Sequence, residues 1–336
     1  MSSANSFSAN ESQQTLDRNF ALEGIRVTEA AALSCSHWIG RGDEKAADQA
    51  AVNAMRRALN TLTIDGTVVI GEGERDKAPM LYIGEKVGSG DGPAIDIALD
   101  PLEGTTICAT GTANAMAVLA MAEKGGFLHA PDVYMDKIAV GGGLPADVVH
   151  LDETPANNIK NLAKAHNVSP EELLVVILKR ERHREIIAKV REAGARIQLI
   201  SDGDVAGVIA TAMPETGVHL YIGTGGAPEG VLSAAALRCI GGQMQGRLLF
   251  SEEAEKERAT RMGIVDFNRL YRTEELAKGN VMFAATGVTT GSMLEGVKRF
   301  PGGAITNSVV MRSKTGTVRY IKAHHNFTRK TECDPR

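Results

Sequence analysis

The sequence predicts a layered α/β fold of the α+β kind, on three observations. Long helical patterns mixed with short strands fill the first half, as when helices pack on a sheet. The second half alternates strand and helix in a βαβαβαβ order, which predicts a doubly wound, mostly parallel sheet. Hydrophobic residues form 43% of the chain and aromatic ones 4%, with 36 glycines, a balance of tightly turned α/β chains rather than β-sandwiches. At 336 residues the chain can bury one large core or two modest ones.

The elements follow in order. Residues 1 to 18 read as a disordered polar tail, with neither the basic nor the apolar region of a secretion signal. A helical pattern from about 20 to 38 places Leu22, Ile25, Ala32 and Ile39 near one face. GRGDE (40 to 44) breaks it, and a second helix from about 45 to 62 carries the stripe Val52, Met55, Leu59, Leu62. Asp48 extends that stripe backward by four residues. Either it complements the helix dipole from the first turn, the reading slightly favoured, or it serves a site. Thr67 to Ile70 forms a β-branched strand that opens into Gly71-Glu72-Gly73-Glu74. Glycines on both sides of Glu72 let the backbone turn sharply and approach a ligand. DIALD and AMAVLAMA (115 to 122) are further strands.

DIALDPLEGTT (96 to 106) ends its strand at Asp100-Pro101, because proline cannot donate to a ladder and biases Asp100 away from helix. Glu103, Gly104 and Thr105 follow in a turn. Two acids this close repel unless something positive lies between them.

In the second half LLVVIL (173 to 178), RIQLI (196 to 200), VHLYIG (218 to 223) and GRLLF are strands. Helices lie between them: REIIAKVREAG, ended by Gly194, a short one from about 204, and EGVLSAAALRCIGG. A soft boundary divides an α+β half (19–160), which holds most of the acids considered below, from an α/β half (161–325), with a loose tail at 326–336. Ligands of open α/β sheets collect beyond the carboxyl ends of strands. Those ends here carry Lys179-Arg180-Glu181-Arg182-His183, Ser201-Asp202-Gly203-Asp204 and Thr224-Gly225-Gly226-Ala227-Pro228-Glu229. Each alone is an ordinary charged helix start, turn or dipole-favoured acid. Together they suit a phosphorylated, hydroxylated small molecule.

A formal net charge of −4 argues against nucleic acid as the main partner. No apolar run approaches the roughly 18 residues of a membrane helix. Cys35, Cys108, Cys239 and Cys333 lie far apart without a CxxC pair, which fits reduced thiols in a cytoplasm. His324-His325, in the end segment KAHHNFTRKTECDPR, reads as a solvated pair rather than a metal site. The acids Asp48, Glu72, Asp100, Glu103 and Glu229 form a set of oxygen ligands without matching Cys or His, which points to Mg²⁺ or Mn²⁺ rather than zinc. Several acids around two or more such ions suit phosphoryl transfer to water.

DPLEGT (100 to 105) resembles the Asp-Pro-x-Asp/Glu-Gly-Thr signature of the lithium-sensitive, metal-dependent phosphatases. RVTEAAAL, GRGDEKAAD, VIGEGERDKAPMLYIGE, HAPDVYMDK, SDGDVA, TGGAPEG and FAATGVTTG are similar to class II fructose-1,6-bisphosphatase, from about residue 20 to 325. The resemblance implies an αβαβα sandwich of the sugar and inositol phosphatase type, and removal of the 1-phosphate of fructose 1,6-bisphosphate in gluconeogenesis. It also implies that Asp48 and Glu72 bind one metal and that Asp100, Glu103 and Glu229 bind another. Thr105 would orient and deprotonate the attacking water. Tyr134, Arg180, Glu181, Arg182, Asp202, Gly203, Asp204 and Gly226 would contact sugar or phosphate, with Glu103, Gly104 and Thr105. Relatives of this kind are dimers or tetramers.

One departure stands out: relatives carry GDK where this chain has Gly42-Asp43-Glu44-Lys45, a displacement that turns the lysine by about 100° on a helix. Lys45 is retained as a phosphate contact on that condition. Arg180 also replaces a lysine of some relatives, a planar fork in place of a point charge. Dual activity on sedoheptulose 1,7-bisphosphate, another phosphate ester such as an inositol phosphate or a nucleotide 3′-phosphate, and a non-catalytic sugar-phosphate sensor are the alternatives.

Overall fold

The structure, a computed structural model, describes residues 20–73 and 80–329. Within these, the chain runs α1 (Phe20–Cys35), α2 (Glu44–Leu59), β1 (Asp65–Ile70), β2 (Lys86–Val87), β3 (Ala94–Glu103), α3 (Thr105–Thr110), β4 (Met116–Glu123), β5 (Tyr134–Val140) and α4 (Pro155–His166). It continues through β6 (Leu174–Leu178), α5 (Arg184–Glu192), β7 (Arg196–Ile200), α6 (Asp204–Ala210), β8 (Leu220–Gly226), α7 (Ala227–Ile240), β9 (Gln243–Leu249) and α8 (Glu253–Arg261). Then come β10 (Leu270–Arg272), α9 (Thr273–Leu276), β11 (Val281–Gly287), β12 (Lys298–Phe300), β13 (Gly303–Arg312) and β14 (Thr317–Asn326).

Strand alternation sets the layers, because successive side chains point to opposite faces. On β4, Ala117, Leu119 and Met121 join a core with Ile25, Val27, Ala51 and Met55 of α1 and α2. Met116, Val118 and Ala120 join a second core, with Val205 of α6 and Val231, Leu232 and Leu237 of α7. That second core also takes Met135 and Ala139 of β5 and Tyr221 of β8, whereas Ile138, Leu220 and Ile222 face a third core under α4 and α5. The order is therefore helices, sheet, helices, sheet, helices, the αβαβα sandwich. α7 lies in the middle and is apolar nearly all round, as an interior helix must be.

The first sheet runs β12-β13-β11-β4-β3-β1-β2, with β14 on the other edge of β13. It is antiparallel except for β1 beside β3. The second runs β10-β9-β5-β8-β6-β7, and only β7-β6-β8 pair in parallel. The mostly parallel sheet is corrected in that respect, for a simple reason. β8 and β9 do run in the same direction, but β5 from the first half is inserted antiparallel between them. The two sheets do not follow the split near residue 160 either. β5 belongs to the second sheet, and β11 to β14 return to the first.

Other differences are local. Leu22 is exposed rather than in the helix face. β8 extends through Gly225-Gly226, beyond the strand end expected at residue 223. Residues 322 to 326, which open the end segment KAHHNFTRKTECDPR, are strand, because β14 pairs with β13 along its whole length, so the tail cannot begin at 326. His324 and His325 are strand neighbours; His324 is exposed, and His325 is buried against Thr306 Oγ1 at 2.8 Å. They cannot share an ion, since consecutive strand residues face opposite ways. The amino-terminal tail, Glu74, Cys333 and the residues beyond 329 lie outside the described residues. No helix among the described residues is long and apolar enough to cross a membrane.

Candidate active site

β1 and β3 are parallel neighbours, so their carboxyl ends stand side by side. Glu72 follows the first of them. A Cβ on Gly71 would meet Leu81 O at 2.1 Å, and that carbonyl accepts the Glu72 N–H at 3.0 Å. On β3 the answer to DPLEGT is a β-bulge. Asp100 pairs with Val118 and Glu103 with Met116, so three steps on β3 match two on β4. An acid three positions along a regular strand would face the opposite way. The extra residue turns Glu103 to the face of Asp100, the face on which Val118 and Met116 enter the middle core. Leu102 N–H donates to Asp100 Oδ1 at 3.0 Å and fixes the turn. Gly104 then takes φ +89°, a left-handed conformation that glycine adopts freely, and starts α3 at Thr105. Thr105 is half-buried, and its hydroxyl makes no hydrogen bond among the described residues.

α7 delivers Glu229 from the opposite side, in its first turn. Asp100, Glu103 and Glu229 offer oxygens that all lie within 4.8 Å of one another. Glu229 Oε2 is buried with no hydrogen-bond partner among the described residues. Burial pushes Asp100 up to about 6 and Glu229 up to about 7. Burial, then the charges of Asp100, Asp204 and Glu229, hold Glu103 well above the carboxylate range. Glu72 is raised by burial first, then by the fields of Asp100, Asp48 and Glu229. Asp48 is raised by burial. The five acids form one electrostatic group. Asp48 is the fifth residue of α2, beyond the first turn, so dipole complementation does not explain it.

The displaced lysine lies within the first turn of a helix. α2 starts at Glu44, capped by Asp43 Oδ1 on Ala46 N–H at 3.0 Å. Lys45 is exposed and makes no hydrogen bond or ion pair among the described residues. The Asp202 carboxyl is raised chiefly by burial, and the exposed Glu44 adds to that only weakly.

Across the inner layer stand the ends of β6, β7 and β8. Arg180 donates to Ser201 O and lies 3.6 Å from Asp202 Oδ1. Arg182 donates to Thr224 O at 2.8 Å, and its guanidinium lies 4.8 Å above the ring of Tyr134, which is 53% exposed. Glu181 is exposed and taken up by Arg184 at 2.7 Å. Gly203, at φ +79°, starts α6, where Asp204 is the first residue. Val205 N–H of that first turn reaches Glu103 Oε1 at 3.3 Å and ties the two sheets together at the site.

Three participants were not read from the sequence. His183 is buried, with Nδ1 2.7 Å from Leu178 O and Nε2 accepting from Thr224 N–H at 2.8 Å, so it pins the arginine loop to β8. Tyr221 OH donates to Asp204 Oδ2 at 3.2 Å. Lys137, with 0% exposure, donates to the same oxygen at 2.5 Å and to Gly226 O at 3.0 Å. Lys137 did carry a signal: within YMDKIAV it occupies the inward set of Met135 and Ala139, where a lysine is out of place.

Over residues 18–325 the chain matches the family described as bacterial fructose-1,6-bisphosphatase, glpX-encoded. Fructose-1,6-bisphosphatase 1 class 2 of Escherichia coli is 48% identical over 327 residues, covering 93% of this chain and 97% of that protein. The class 2 enzyme of Shigella flexneri matches to the same extent, 48% over 327 residues and the same coverage. Among solved structures, an extragenic suppressor from Pyrococcus furiosus has a TM-score of 0.31 at 12% identity, covering 58% of this chain and 71% of that one. Inositol monophosphatase from Anabaena (Nostoc) sp. gives 0.29 at 15%, with the same coverage. At those scores the layer order above, not the likeness, carries the fold. With family match, identity and acid constellation in agreement, the chain belongs to the class 2, glpX-encoded family of bacterial fructose-1,6-bisphosphatases, which are metal-dependent phosphatases.

Proposed function

We propose that this protein hydrolyses the 1-phosphate of fructose 1,6-bisphosphate, giving fructose 6-phosphate and inorganic phosphate in gluconeogenesis. The observation that carries the reading is the gathering of Asp100, Glu103 and Glu229, with Arg180 and Arg182 on the strand ends beside Asp202 and Thr224. The relatives named fructose-1,6-bisphosphatase support it.

The acids fit divalent cations. Mutually repelling carboxylates and the unpartnered Glu229 Oε2 are what a cation would satisfy, and an all-oxygen donor set favours Mn²⁺ or Mg²⁺. Asp48 and Glu72 would hold one ion, and Asp100, Glu103 and Glu229 another. Bound there, such ions neutralise phosphate charge and acidify water. Thr105 Oγ1, without a hydrogen bond among the described residues, orients the attacking water, and a neighbouring carboxylate takes its proton. The P–O bond to carbon 1 breaks, and the sugar oxygen leaves with a proton. Arg180 and Arg182 hold the 6-phosphate. Tyr134, Asp202, Gly203, Asp204 and Gly226 shape the sugar site, with the backbone at Gly104. Glu181 and Lys45 belong at most to its rim, one paired outward and one exposed.

Phosphate release from fructose 1,6-bisphosphate, measured with Mn²⁺, with Mg²⁺ and with chelator, tests the reading. Metal-dependent turnover supports it; a folded, metal-loaded protein that releases nothing overturns it. We also read the protein as a cytoplasmic homodimer or homotetramer; Phe300 and Tyr320 are exposed apolar candidates for its contacts. Light scattering that gives a monomer would reject that assembly.

A further inference from the structure

Among the described residues, Lys137 is the lysine or arginine with no exposed surface at all, and no role in the chemistry above requires it. A buried ammonium is costly unless its donors are taken. Here two of the three are, by Asp204 Oδ2 and Gly226 O. Asp204 Oδ2 thus accepts twice, from Lys137 and from Tyr221, while Oδ1 takes no hydrogen bond among the described residues. The grip is close: a Cβ on Gly225 would lie 2.1 Å from Asp204 Oδ2 and 2.8 Å from Lys137 Nζ. An aspartate carboxylate otherwise turns through a broad χ2 range. This one cannot turn without giving up both donors.

We propose that Lys137 is the positioning residue of the sugar subsite, clamping Asp204 and the Gly226 carbonyl so that Asp204 Oδ1 alone is presented to a sugar hydroxyl. The inference rests on the sugar-bisphosphatase reading. It predicts that Lys137 acts on recognition of the sugar, through Asp204, and not on recognition of phosphate.

The test uses the full-length protein loaded with Mn²⁺ and calorimetry with two probes, fructose 6-phosphate and inorganic phosphate. The variants are Lys137→Met, Asp204→Asn and the double substitution. Lys137→Met should weaken fructose 6-phosphate at least tenfold and leave inorganic phosphate within twofold. The double variant should bind fructose 6-phosphate within twofold of Asp204→Asn alone, because the two residues act as one unit. A merely structural lysine gives a different result: both probes weaken together, or neither does, and either outcome overturns the proposal. So does a double variant tenfold weaker than Asp204→Asn. If either single variant does not fold, the double variant, in which no unpaired ion is buried, is compared with the wild type: fructose 6-phosphate weakened at least tenfold with inorganic phosphate within twofold supports the clamp, and both weakened together overturns it. A folded wild type that neither binds fructose 6-phosphate nor turns over the bisphosphate overturns the sugar-bisphosphatase reading, and this one with it.

Discussion

Glu229 Oε2 stands where a side chain on Gly226 would be: a Cβ there would lie 1.9 Å from it. Gly226 has φ −66°, open to any residue, so space and not backbone freedom demands glycine. Gly226→Ala should therefore displace Glu229 and lower kcat/KM by about a hundredfold or more. Steady-state kinetics beside a thermal melt check this; a folded alanine variant with wild-type turnover would refute the crowding.

Removing one acid should separate stability from activity. Glu229 is raised to about 7 by burial, so its ionised form opposes folding at higher pH. Glu229→Gln should stabilise the metal-free protein at pH 8 by on the order of 2 kcal/mol while abolishing turnover. Glu103→Ala should likewise remove turnover and leave the fold. Melting curves in chelator and phosphate release decide both. Activity retained in either variant sinks the assignment of these acids.

The same shifts set a pH dependence. Carboxyls whose folded values are raised bind more protons in the native state, so they favour folding below their unfolded values near 4. That contribution is lost as pH rises through about 6 for Asp100 and about 7 for Glu229. The metal-free protein should lose stability between pH 5 and about 7.5, and Mn²⁺ should raise the melting temperature more at pH 8 than at pH 5. An equal metal-induced shift at both values would contradict the cluster.

His183 works in the other direction. Burial lowers its folded value, so the neutral ring stabilises the fold above the unfolded value of about 6.5, and this is lost as pH falls. Protonation would also remove the Nε2 acceptor of Thr224 N–H. His183→Ala should loosen the arginine loop and raise KM for the bisphosphate about tenfold, with kcat falling less. A loss confined to kcat would place its influence elsewhere.

Arg182 is held by Thr224 O and the Tyr134 face. Arg182→Ala should raise KM by about tenfold to a hundredfold, the worth of a charge-assisted phosphate contact. Tyr134→Ala should cost less, because it removes only the platform. Substrate titrations of both variants order the two effects, and the reverse order rejects the platform.

What the sequence revealed depended on how local each signal was. Asp100, Glu103 and Thr105 declare themselves in six residues, although the bulge that unites the two acids is visible only against β4. The arginine and aspartate ends of β6 and β7 were legible because a strand followed by charge is a local pattern. Lys137 showed itself only as a lysine out of place in the inward set of its strand, and what it holds was hidden, since its partners lie 67 and 89 residues away. β14 was hidden too: Thr317 to Asn326 are exposed or half-buried along an edge except for His325, and only the ladder with β13 makes them strand. Strand direction in the second half was readable, whereas the insertion of β5 was not, because no local pattern encodes which distant strand will be a neighbour.

That insertion has a consequence for how the chain assembles. The second sheet needs residues 134–140 at its centre, and the first cannot be completed before residues 281–326 have been made. Severing the chain near residue 160 would leave each fragment with a sheet missing strands it cannot supply. Such far-apart pairings slow folding and bind it into a single cooperative event. The acid cluster and the arginine arm should therefore appear together on refolding and vanish together on melting, with no half-molecule that keeps one without the other.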